Sequence, residues 1–112
     1  MTSPHSIAIP TLARLEAVIA ERRSGDPATS YVAKLHARGL TKITQKLGEE
    51  AVETIIAALA EDRAALVSEA ADLLFHLLLL LGAKDVPLAE VLAELDRRDG
   101  VSGIAEKAAR LP

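Results

Sequence analysis

Apolar residues recur along this chain with a helical period, and polar or breaking residues cut the pattern into segments. Leu12, Leu15 and Ile19 form the stripe of a first helix, which Thr11 is placed to cap and which runs to about Arg23. Residues 1–10 contain Pro4 and no clear period, and read as a flexible lead-in to a single domain over 11–112. Gly25 and Pro27 make Ser24–Thr29 a loop, and Ser30 opens a short helix that closes at Gly39. Two long stretches follow, Thr41–Ala60 and Arg63–Gly82, with only Glu61 and Asp62 between them, so they must pair antiparallel. Gly48 in the first stretch costs about 1 kcal/mol relative to alanine; a close approach of another backbone or a ligand would explain it. Beyond Gly82, Pro87 suits a first helical turn, and Leu88, Val91, Leu92 and Leu95 give the next helix its buried stripe, ending at Arg98. Ser102 is a candidate cap for a short amphipathic tail.

Composition turns this into a fold class. Half of the 112 residues are apolar but only 2 % are aromatic, so the core must be Leu, Ile, Val and Ala, a mix with high helix propensity. The expectation is an all-α fold. The stretches Thr41–Ala60 and Arg63–Gly82 each carry apolar residues on more than one side, and so short a chain has few elements to cover both. A four-helix-bundle-like core shared across a homodimer would cover them. A net charge of −3 offers no basic field for nucleic acid, yet leaves room for a nucleotide bridged by a divalent ion. The absence of cysteine excludes disulfides, zinc–thiolate sites and Cys nucleophiles. Leu77–Leu81 is membrane-like, but Asp72 and His76 interrupt Ala70–Ala83, which is too short to span comfortably. With no signal peptide visible, a soluble cytoplasmic protein with no membrane partner is expected.

The chemistry lies in the acids of the two long helices. Glu50 and Glu53 share one face of the first, with Glu49 at its edge; Glu69, Asp72 and His76 share one face of the second. Taken alone, Glu49, Glu50 and Glu53 read as a solvated helix face. Glu69 and Asp72 on an otherwise apolar helix are costly to bury, and read as functional. His76 reads as a satisfied core or interface histidine rather than a ligand. Antiparallel pairing could bring Glu50 and Glu53 opposite Glu69 and Asp72, where four carboxylates repel unless protonated or neutralised. An all-oxygen set selects a hard cation, Mg²⁺ first and Mn²⁺ second, and such ions bridge phosphate oxygens. Lys42 and Lys46 lie on the same side and suit either salt bridges with the acids or contact with phosphate.

Four segments carry a resemblance: SYVAKL (Ser30–Leu35), KITQKLGEEAVE (Lys42–Glu53), EAADLLFHLLLLL (Glu69–Leu81) and SGIAEKAAR (Ser102–Arg110). With them the chain resembles the phosphoribosyl-ATP pyrophosphatase family, of the all-α, MazG-like nucleoside triphosphate pyrophosphohydrolases. The superfamily signature E-E-x-x-E then E-x-x-D is met without gap or substitution. The resemblance implies hydrolysis of the α–β anhydride of 1-(5-phosphoribosyl)-ATP to the AMP derivative and pyrophosphate, the second step of histidine biosynthesis. By position it implies Glu50, Glu53, Glu69 and Asp72 as metal ligands, with Glu49 orienting water or supporting the ligands. Lys42 and Lys46 become candidates for the departing pyrophosphate, and Lys34 and Arg38 for the 5′-phosphate of the added ribose, with Lys107 and Arg110 weaker. A homodimer is implied as well. A separate cyclohydrolase must act next, since this chain lacks the length and the cysteines of a fused one.

Three rivals stand beside this reading. One is a house-cleaning pyrophosphohydrolase acting on a (d)NTP with the same acids. Another is a di-iron bundle, which wants Glu-x-x-His where His76 stands at the wrong spacing. The last is a non-enzymatic helical dimerisation module.

Overall fold

Local capping signals account for most of the boundaries in the computed structural model, which describes residues 4–100 and 103–110. Among them lie α1 (Pro4–Arg22), α2 (Tyr31–Arg38), α3 (Leu40–Ala60), α4 (Arg63–Ala83), α5 (Leu88–Arg98) and α6 (Gly103–Arg110), with no strand. Ser30 caps α2 by accepting from the Ala33 N–H at 3.2 Å. Asp62 does the same for α4 through Ala65 at 2.9 Å. Gly39 alone joins α2 to α3. Its φ of 92° lies where side-chain-bearing residues are strained, and from there its N–H closes α2 onto Leu35 and His36 while its carbonyl receives Ile43.

The first helix begins earlier than the periodicity predicts. It opens at Pro4, where the missing N–H is no loss, and runs through Pro10 and Thr11, so Thr11 is interior rather than a cap and the expected lead-in is helical from residue 4. Other boundaries shift by one residue: α1 ends at Arg22, α3 starts at Leu40, α4 continues through Gly82 to Ala83, and Pro87 is the N-cap of α5 rather than its first turn. Ser102 lies outside the described residues. Among the described residues, nothing beyond its own helix and chain neighbours comes within 4 Å of a Cβ built on Gly48, so none of them makes the close approach expected there.

The core lies at one end of a long hairpin. Helices α3 and α4 pack antiparallel, and Ile43 near the start of α3 and Leu78 and Leu79 in the second half of α4 meet Ile19, Val32, Leu35 and Leu88. Two side chains tie α1 and its end across this part of the hairpin: the Glu16 carboxylate accepts the Leu88 N–H at 2.7 Å, and Arg23, just past α1, donates to the Gly82 carbonyl at 3.2 Å. At the other end of the hairpin, Val52, Ile55, Ile56 and Leu59 on α3 and Val67 and Leu74 on α4 are exposed. The radius of gyration, 16.2 Å, exceeds the roughly 13 Å of a compact chain of this length.

By length and composition α4 is apolar enough to cross a membrane, with a mean hydropathy of 1.9, so it is longer and more apolar than the interrupted stretch read from the sequence. It packs antiparallel on α3 as the second helix of the hairpin, with His76, Leu78 and Leu79 its buried residues. Glu69 and Asp72 turn toward the acids of α3, and Leu78 and Leu79 enter the core.

Candidate active site

The antiparallel register of α3 and α4 is fixed where the acids meet. Thr54 sits one turn past Glu50, and its hydroxyl lies 2.8 Å from the Glu50 carbonyl and 3.2 Å from the Glu69 carbonyl. With 54 opposite 69, position 50 falls opposite 73, next to Asp72. Glu50, Glu69 and Asp72 each bring a carboxylate oxygen within 4.8 Å of the others. Glu50 is buried at 8 % exposure; Glu69 is half-buried and Asp72 exposed. The three acids therefore line a site that opens to solvent on one side.

Electrostatics make this an unfavourable arrangement without a cation. Burial and the neighbouring Glu53 push the Glu50 carboxyl above its ordinary range. Burial, then Glu53 and Glu50, push Glu69 up to about 7. Glu50 Oε2 and Glu69 Oε2 are enclosed and have no hydrogen-bond partner among the described residues. Enclosed carboxylate oxygens without donors are costly, and a divalent cation satisfies them as no side chain here does. The donor set is all oxygen, and the residues present fit such an ion.

The remaining expected residues divide. Glu53 is exposed and stands outside the three-acid set, but close enough to Glu69 and Glu50 to raise both. Glu49 is turned away: it accepts from Gln45 at 3.0 Å and pairs with Lys46 at 3.2 Å, and these two hold its carboxyl below the usual range. Lys46 is held protonated by that same bond, and Lys42 contributes charge nearby. Lys34 and Arg38 are exposed on α2, and neither makes a side-chain hydrogen bond or ion pair among the described residues. Lys107 and Arg110 are exposed on α6.

His76 is a satisfied histidine, as its place on an apolar helix predicts. It is 5 % exposed, with Nδ1 2.7 Å from the Asp72 carbonyl and Nε2 2.8 Å from the Tyr31 hydroxyl. Both nitrogens are engaged, which leaves a di-iron centre without its imidazole. Tyr31 also stacks on Phe75, with centroids 6.2 Å apart, and burial pushes its phenol above the ordinary range, with Lys46 opposing.

Sequence reasoning gave no role to Tyr31 or Thr54. A threonine in the middle of an apolar helical run was the available signal for the second. For the first it was the only tyrosine of the chain, directly after a helix cap.

Comparison with known proteins places the sequence in a family. Residues 12–99 match the profile of a family described as phosphoribosyl-ATP pyrophosphohydrolase. A phosphoribosyl-ATP pyrophosphatase of Novosphingobium aromaticivorans is 75 % identical over 88 % of this chain and 92 % of its own length. Proteins of the same name are similar in Rhizorhabdus wittichii, at 67 % over 89 % of this chain and 94 % of theirs, and in Paracoccus denitrificans, at 57 % over 98 % and 99 %.

Proposed function

The chain belongs to the phosphoribosyl-ATP pyrophosphohydrolase family, and from that premise we propose that it hydrolyses 1-(5-phosphoribosyl)-ATP to 1-(5-phosphoribosyl)-AMP and pyrophosphate, the second step of histidine biosynthesis. The observation that carries this reading is the convergence of Glu50, Glu69 and Asp72 between two apolar helices, with two enclosed oxygens lacking a donor. Glu50, Glu53, Glu69 and Asp72 would hold Mg²⁺, with Mn²⁺ the second choice. Such an ion supplies neutralisation and orientation of the triphosphate oxygens.

The α–β anhydride breaks as water adds to one of its two phosphorus atoms, and a carboxylate of the cluster takes the proton. Where water adds to the α-phosphorus, Lys46 and Lys42 offset the negative charge that builds up on the departing pyrophosphate. Glu49 serves this indirectly, by holding the Lys46 ammonium beside the acids. Lys34 and Arg38 remain candidates for the 5′-phosphate of the added ribose, reached by substrate rather than by the acids.

The enzyme acts as a cytoplasmic homodimer. Support comes from the apolar stripe Val52, Ile55, Ile56 and Leu59, spaced for one helix face and exposed beyond the acids. The product passes to a separate cyclohydrolase.

Pyrophosphate release decides the function. Phosphoribosyl-ATP should be cleaved with Mg²⁺ and spared in EDTA, far faster than any of a panel of NTPs and dNTPs. A preference for one dNTP would move the protein to the house-cleaning branch, and release from none would leave a helical dimerisation module.

A further inference from the structure

Tyrosine and phenylalanine each occur once in this chain and tryptophan not at all. Both rings stand together beside the acids, against His76, with centroids 5.4–6.2 Å apart. Tyr31 nevertheless keeps 45 % of its surface exposed. A ring serving only the core would be covered.

The polarity of the hydrogen bonds is assigned by their partners. A backbone carbonyl only accepts, so His76 Nδ1 donates to Asp72, and in the tautomer that carries its one proton there Nε2 is an acceptor. The Tyr31 hydroxyl must then donate to Nε2 at 2.8 Å. With its proton committed, the phenol oxygen has only lone pairs to offer. Phosphate oxygens are acceptors and gain nothing from it. Hydroxyl and amino groups are donors, and on a nucleotide they lie on the sugar and the base.

Position agrees with polarity. Tyr31 lies within the electrostatic reach of Glu49, Glu50, Asp72 and Lys46 on one side. On the other it lines an open cleft of about 610 Å³ with Phe75, Thr29 and Arg22. A ligand with its triphosphate on the acids and its nucleoside in the cleft must pass this side chain.

We propose that Tyr31 is a substrate-positioning residue whose phenol oxygen, oriented by His76, accepts a hydrogen bond from a hydroxyl or amino group on the nucleoside half of the substrate. The proposal rests on the reading of the acids as a site of triphosphate hydrolysis, and it extends that site to the part of the ligand the acids do not touch.

The test compares ligands with and without a nucleoside. Affinities of ATP and of inorganic pyrophosphate are measured by calorimetry with Mg²⁺ for wild type, Tyr31→Phe, His76→Leu and His76→Gln, alongside KM and kcat for phosphoribosyl-ATP. Tyr31→Phe should weaken ATP and raise KM by about tenfold, the worth of one hydrogen bond, with pyrophosphate affinity and kcat within about twofold. His76→Leu should do the same, and His76→Gln, whose amide oxygen can accept from the phenol, should recover most of the loss. Equal losses for pyrophosphate and ATP, or no loss for either with Tyr31→Phe, would overturn the proposal. If wild type released no pyrophosphate the hydrolytic reading would fall by itself, and the binding comparison would still decide the role of Tyr31.

Discussion

The Thr54 hydroxyl, 2.8 Å from the Glu50 carbonyl of its own helix, lies 3.2 Å from the backbone carbonyl of Glu69 and so links the two acid-bearing helices beside the acids. Sliding one helix by a turn would separate Glu50 from Asp72. Thr54→Val keeps the shape and removes the donor. It should lower stability by about 1 kcal/mol and raise the Mg²⁺ concentration for half-maximal activity several-fold. Thr54→Ser should restore both. A valine variant with unchanged Mg²⁺ dependence would show that packing alone holds the register.

Neutralising an acid of the cluster should separate stability from function. Glu50→Gln removes a charge whose ionised form is disfavoured by burial and by its neighbours, so the metal-free protein should melt higher. The rise in melting temperature on adding Mg²⁺ should disappear, and activity should fall by more than about 100-fold. Glu69→Gln should behave alike, and Asp72→Asn should share the loss of the Mg²⁺ response and of activity. Glu49→Gln loses only an exposed ion pair and should keep activity within about tenfold. A glutamine at position 50 that lowered the metal-free melting temperature would contradict the electrostatic account.

The pH dependence follows from Glu69, whose carboxyl rises from the ordinary 4.5 to about 7 in the fold. A folded state that binds the proton more tightly than the unfolded chain loses stability as pH rises between those two values. In EDTA the melting temperature should therefore fall from about pH 5 to pH 7 and then level off, with Glu50 adding in the same direction. Glu94, held down to about 2 by Arg97 and Arg98, acts with the opposite sign and below 4.5, outside this window. Mg²⁺ competes with the Glu69 proton, so its affinity should climb up to about pH 7 and flatten above. Melting temperatures in EDTA that rose across this range would sink the argument.

The apolar end of the hairpin gives the test of assembly. Leu59 is 83 % exposed, and a charge there costs an isolated chain little, within about 0.5 kcal/mol. Leu59→Glu, alone or with Ile55→Glu, should yield monomers by light scattering with helix content retained. If wild type were itself a monomer at micromolar concentration, the homodimer would be wrong.

What could be read in advance depended on how local the signal was. Ser30, Gly39 and Asp62 act on their own backbone or that of the next turn, so the α2 boundaries and the start of α4 were legible from residue type. The acid site was legible because Glu69 and Asp72 break an apolar helix, and the two-residue turn at Glu61 and Asp62 leaves only antiparallel pairing. The opening of α1 at Pro4 was hidden because two prolines argue for irregular chain, although a proline at a helix start removes no bond. Thr54 and Tyr31 act across helices, one on a carbonyl of α4 and the other on a ring of α4. Such contacts leave no period in the sequence, and neither residue could be assigned until the register was known.

The concentration of both aromatic rings beside the acids also decides how this protein can be watched. With a single tyrosine and no tryptophan, all of its tyrosine emission originates at Tyr31, within hydrogen-bond distance of His76 and next to the candidate ligands. The native chain is thus its own unlabelled fluorophore, free of background from tryptophan or a second tyrosine, and its emission should respond to ions and nucleotides at the cluster while ignoring events at the far end of the hairpin.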